Sequence, residues 1–164
     1  MAEKQASFTV TSSQFTAGGQ LPLSTAHQMA NGENISPDLA WSGAPVETAS
    51  FAVSMYDPDA PTPVGFVHWL LFNIDPHVHS LAAGAGAPGK NPPGSVLGFT
   101  DFGVSEHGGA APPPGDAPHH YEITVYALDV PHLDLGPGTT YASFHFMVRG
   151  HVLATAKLTG LFGR

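Results

Sequence analysis

What most constrains this chain is its punctuation: 16 prolines and 19 glycines are spread through 164 residues. In polar tracts that content would signal disorder, but here the two residues fall between apolar segments, as they do in a loop-rich β protein. Four segments read as strands, 7–10, 50–56, 67–74 and 121–128, with turn signals between them. The last, "YEITVYAL", alternates and is rich in β-branched and aromatic residues. Strands spaced in this way predict sheets packed on sheets. Helical periodicity is convincing only near the end, where Phe144, Val148, Val152, Thr155, Leu158 and Phe162 recur at three- and four-residue steps and Gly163 follows as a stop. Gly150 weakens that helix by about 1 kcal/mol relative to alanine. The segment "LAAGAGAPGKNPPGS", 81–95, reads as a long surface loop. The expectation is a mainly β domain closed by a C-terminal helix.

No internal repeat, charge block or linker divides the chain, so residues 1–164 read as a single domain, able to bury roughly 68–70% of its unfolded surface without staples. The absence of cysteine excludes disulfides, zinc–thiolate sites, iron–sulfur clusters and a cysteine nucleophile. A net charge of −8, from five Lys plus Arg against 13 Asp plus Glu, argues against an extended phosphate-backbone groove and hence against nucleic acid as a partner. The opening "MAEKQASFTV" lacks the apolar run of a signal peptide, and no stretch approaches the roughly 18 apolar residues of a membrane span. A cytoplasmic protein with no integral membrane segment is expected.

Two stretches carry the chemistry. In "DPDAP", Pro58 and Pro61 fix their own φ and push Asp57 and Ala60 towards extended conformations, so the aspartates point in defined directions. An isolated Asp-Pro-Asp can simply bond its own turn amides. His68 adds a second possibility, because a strand 67–74 running back beside 50–56 brings it within reach of Asp57. Strict alternation would place His68 on one face with Leu70 and Phe72, and Val67, Trp69 and Leu71 on the other. Both faces are apolar, which makes the strand central and Asp57 the expected partner of His68. In the second stretch, "EHGGAAPPPGDAPHHYEITVY", Gly108, Gly109, Ala110 and Ala111 offer amides able to converge on an anion. His119 and Tyr121 then project to one side of a strand and His120 to the other. A histidine with an ordinary pKa near 6.5 suits either phosphate recognition or proton transfer.

With "NGENISPDLAWSGAP" (31–45), "DPDAPTPVGFVHWLLFNI" (57–74), "GGAAPPPGDAPHHYEITVYALD" (108–129) and the ending "HVLATAKLTGLFGR", the chain resembles the phosphatidylethanolamine-binding protein family, in its short bacterial, Raf-kinase-inhibitor-like form. The resemblance implies a sandwich of two antiparallel sheets with a few short helices and a small anion pocket at one end. It implies that Asp57, Ala60, Pro61, His68, Gly109, Ala111, Pro112, His119 and Tyr121 line that pocket. The ligands implied are phosphate, a carboxylate or a phospholipid headgroup, with no cofactor, and the bacterial form is often a homodimer. Two positions depart from the family pattern: His120 stands where an arginine is common, and Phe162 where a tyrosine commonly closes the chain end.

Three functions follow. The first is a binding module for a phosphate-like, carboxylate-like or zwitterionic group, with kinase- or protease-inhibitor-like regulation as a wider family association. The second is an enzyme using Asp57, His68, His119 and Tyr121 for proton transfer or cyclisation of a small carbonyl compound. Covalent hydrolysis is disfavoured because no G-x-S-x-G nucleophile motif is present. The third, a metal site built from His68, His119, Asp57 and His107, ranks last because no tight metal-ligand spacing occurs.

Overall fold

The computed structural model describes residues 7–164, in which two antiparallel sheets and one α-helix are found. Strands β1 (Thr9–Thr11), β2 (Leu39–Ser42) and β5 (Ser80–Leu81) form the smaller sheet in the order β1-β2-β5. The larger sheet is ordered β6-β4-β3-β7-β8, from β3 (Ser50–Asp57), β4 (Phe66–Ile74), β6 (Val96–Leu97), β7 (His119–Leu128) and β8 (Val152–Phe162). The mainly β architecture with one helix near the C-terminus matches expectation.

The larger sheet is covered on both faces, which explains why β3 and β4 are almost continuously apolar. One face packs Val53, Met55, Trp69, Leu71 and Ile123 against Val10, Leu39 and Trp41 of the smaller sheet. The other packs Ala52, Leu70, Phe72 and Tyr126 against Leu133 and against Phe144 and Val148 of the helical segment. Among the described residues no helix is long and apolar enough to cross a membrane.

The helix expected through Phe162 is shorter than its periodicity suggested. Helix α1 spans Tyr141–Met147, capped by the Thr140 hydroxyl on the Ser143 amide. Gly150 then adopts φ 83, a left-handed conformation that ends the helix and turns the chain into β8. There the two-residue period of Ala156, Leu158, Gly160 and Phe162 prevails, each buried while Lys157 points outward. The segment satisfied both periods, and ten paired positions along β7 decided between them.

A local irregularity corrects a second expectation. Met55 pairs with Trp69, yet the next residue, Tyr56, pairs with Val67, so β4 carries one extra residue, a β-bulge at His68. The bulge reverses the alternation. Leu70 and Phe72 keep to the helix side, whereas the His68 ring turns to the opposite face, 5.2 Å from the ring of Tyr121.

Candidate functional site

Where β3 ends and β7 begins, the larger sheet leaves a cavity of about 260 Å³. Of the residues singled out for a pocket in the sequence, all but Gly109 line it. Asp57 is the last residue of β3, and its Oδ1 accepts the amide of Asp59 at 2.8 Å, a turn bond that the flanking prolines stiffen. Its Oδ2 accepts from His119 Nδ1 at 2.8 Å, and both side chains are buried. The partner of Asp57 is therefore His119, not His68 as the sequence suggested. Strand pairing is the reason: β7 lies beside β3 from Ser50 to Tyr56, which brings its first residues next to Asp57, while Asp57 itself pairs with Phe66, two residues short of His68.

His68 finds its partner elsewhere. Its Nδ1 donates to the Gly108 carbonyl at 2.8 Å, and the Gly108 amide donates back to the His68 carbonyl at 2.9 Å. Burial lowers its pKa against the opposing pull of that carbonyl and of the Asp57 charge. The neutral ring with its proton on Nδ1 keeps a lone pair on Nε2. Phe66, Phe102 and Tyr121 stand around it at ring distances of 5.0, 5.3 and 5.2 Å.

His119 is in the opposite state. Its Nε2 meets Asp116 Oδ2 at 3.0 Å, so both ring nitrogens face carboxylates, and two such bonds require two N–H donors. Burial depresses its pKa, but the hydrogen bonds to Asp57 and Asp116 outweigh it and the net shift is upward. The cavity wall thus carries an imidazolium beside a neutral imidazole. Tyr121 completes the set: the side chain is fully buried and its hydroxyl has no hydrogen-bond partner among the described residues. Burial, reinforced by the charge and the close approach of the Asp57 carboxylate, which reaches no well-formed hydrogen bond with the hydroxyl, pushes its pKa up, so it remains a donor.

The expected anion nest at Gly108–Ala111 is corrected in its first half. The Gly108 amide serves His68, and the Gly109 amide donates to Asn34 Oδ1 at 2.6 Å. Gly109 sits behind the wall, where an added Cβ would lie 2.1 Å from the Thr25 carbonyl oxygen. His107 lines a different cavity and is buried with both ring nitrogens unpartnered. With both His119 nitrogens engaged and His107 in another cavity, no group of three or more potential metal ligands comes together among the described residues. His120 is exposed and pairs with Asp59 at 2.7 Å, away from the cavity, while Phe162 is buried in the core opposite His119.

Sequence reasoning missed several wall residues. Met29, Thr62, Phe66, Phe102 and Pro113 also line the cavity. Asn34 holds the wall from behind, and Arg164 straps it by donating to the carbonyls of Pro112 and Met29. Asn34 lies in the first of the quoted stretches, and its left-handed φ of 59 is a conformation Asn tolerates. No sequence signal marks Phe102.

The phosphatidylethanolamine-binding protein family model matches residues 11–163. The chain belongs to that family. The UPF0098 protein YbcL of Escherichia coli is 42% identical over 163 residues, covering 96% of this chain and 88% of the relative. A second E. coli relative, the UPF0098 protein YbhB, is 44% identical over 133 residues, covering 80% of this chain and 84% of its own. The crystal structure of E. coli YbcL superposes with a TM-score of 0.93, covering 97% of this chain and 99% of that one. A phosphatidylethanolamine-binding protein from Plasmodium vivax, at 13% identity and a TM-score of 0.58, shares the fold.

Proposed function

We propose that the protein is a binding module whose cavity receives a small oxyanion-bearing group, either free phosphate or the phosphate of an ethanolamine-type headgroup. The observation that carries this reading is the Tyr121 hydroxyl, a fully buried donor at the cavity wall with no acceptor of its own. The adjacent His119 imidazolium offsets part of the Asp57 and Asp116 charge that would otherwise repel an oxyanion. Asp57, facing the same space, offers a counter-charge to an ammonium, which suits a zwitterion. A volume of 260 Å³ lies below the roughly 300–1,000 Å³ of sites for drug-sized ligands and fits a headgroup rather than an acyl chain.

Calorimetric titration with O-phosphoethanolamine, of protein freed from phosphate, acetate and cacodylate, tests the reading. Saturable binding is expected, weakened about tenfold or more in Tyr121→Phe. An absence of heat with both O-phosphoethanolamine and inorganic phosphate overturns it. The His68 lone pair beside the Tyr121 hydroxyl favours one second reading, proton transfer on a small carbonyl compound with His68 as base. A turnover that His68→Asn slows by about 10²–10⁴-fold would replace the binding module with that enzyme.

A further inference from the structure

The side chains of the cavity offer few donors and several acceptors. Both N–H groups of His119 are spent on Asp57 and Asp116. The Thr62 hydroxyl donates to the Gly65 carbonyl. His68 has committed its proton to Gly108 and retains a lone pair, and Asp57 can only accept. Met29, Phe66, Phe102 and the prolines contribute no side-chain donor. One free side-chain donor remains, the Tyr121 hydroxyl. The charge balance points the same way, since one imidazolium stands between two carboxylates, with Arg164 strapped behind the wall on the Pro112 and Met29 carbonyls.

We propose, resting on the headgroup reading above, that the pocket accepts only oxyanion groups that bring a proton of their own, and so takes phosphate and its protonated monoesters while rejecting sulfate. A phosphate P–O–H donates to His68 Nε2 or to Asp57, and another of its oxygens accepts from Tyr121. Sulfate brings only acceptors, so its oxygens meet the His68 lone pair and the Asp57 carboxylate with nothing to donate. An ethanolamine diester lacks the P–O–H but satisfies the same acceptors through its ammonium protons. A choline diester has neither.

Calorimetry with five probes tests this: inorganic phosphate, sulfate, methyl phosphate, glycerophosphoethanolamine and glycerophosphocholine. At pH 5 phosphate should bind at least about tenfold tighter than sulfate. Methyl phosphate loses its last proton near pH 6, as phosphate monoesters do, and should bind at pH 5 but not at pH 8. Inorganic phosphate still carries a proton at pH 8 and controls for the groups that face the cavity. Those groups are Asp57 on β3, His68 on β4, and His119 and Tyr121 on β7, with Asp101, Asp116 and Arg164 acting on them from outside the cavity lining. The ethanolamine and choline pair separates the two sources of donor: ethanolamine binding alone assigns a lipid headgroup, and phosphate binding alone a free phosphate or monoester. His68→Phe, checked for folding by its melting curve, should let sulfate approach phosphate. Sulfate binding as tightly as phosphate in the wild type, or methyl phosphate binding unchanged between pH 5 and 8, overturns the inference and leaves the headgroup reading standing. Binding of none of the five probes overturns both.

Discussion

Replacing Tyr121 by Phe separates what the cavity costs from what it does. The tyrosine ring is part of the core, packed in the layer between the two sheets, and phenylalanine keeps that packing. Only the hydroxyl goes, and it is a buried donor without a partner. Leaving such a group unsatisfied costs about 1–3 kcal/mol, so its removal should stabilise the ligand-free protein, by about 1 kcal/mol at the low end. For a chain of this length that corresponds to roughly 2–4 °C in Tm. With phosphate bound the order reverses, because a hydrogen bond to a charged oxygen contributes about 1.5–3 kcal/mol, or roughly 10- to 150-fold in Kd. Urea denaturation in phosphate-free buffer measures the first effect and calorimetry the second. A Tyr121→Phe protein that is less stable without ligand, or that binds phosphate as tightly as wild type, refutes the reasoning.

Gly109→Ala should cost on the order of 3 kcal/mol, because its Cβ would lie 2.1 Å from the Thr25 carbonyl oxygen and 2.6 Å from two further backbone atoms that cannot rotate away; a urea midpoint close to wild type would count against it. Asp116→Asn removes one of the two carboxylates that raise the His119 pKa, and NMR titration of the ring should show a lower value than in wild type. Because His119 titrates higher folded than unfolded, its contribution to stability is complete below about pH 6.5 and is lost as pH rises through the folded value; the variant should therefore lose most stability on the acid side of that window. His107 behaves in the opposite sense. Burial lowers its pKa to about 3. Stability tied to it is complete above pH 6.5 and falls by about 1.4 kcal/mol per pH unit towards pH 3, so His107→Gln should show a shallower acid-unfolding slope, and an unchanged slope would refute the assignment.

Strands with a clear period were legible in the sequence: 50–56, 67–74 and 121–128 lie on strands of the structure, and 7–10 overlaps β1 at residues 9 and 10. The short strands β2, β5 and β6 were not, because two to four residues carry too little pattern. Strand β8 was mistaken for helix because its apolar residues fit both periods. At the site, the order of the motifs put eight of the nine expected residues around one cavity but gave the wrong contacts. Pairing Asp57 with His68 assumed a regular hairpin, and the actual partner lies 62 positions away across a neighbouring strand. Asn34, Phe102 and Arg164 come from three separate loops and ends, and no local signal could have gathered them.

The site is assembled from departures in the backbone rather than from the regular sheet, and this bears on how far a family resemblance reaches. Without the bulge, His68 would join Leu70 and Phe72 under the helix, and the cavity would lose its lone-pair acceptor. Without the left-handed Asn34 held on the Gly109 amide, the wall behind that acceptor would lack its brace. These devices fix where side chains point, but the protonation state of each depends on what it touches once there. His119 is charged because Asp116, carried by a turn outside any strand, meets a nitrogen that would otherwise be free. A relative with the same fold and the same strand residues but no carboxylate at that turn would present a different inventory of donors and acceptors. Ligand preference within such a fold therefore follows from which protons the wall has already spent, and here the unspent one belongs to Tyr121.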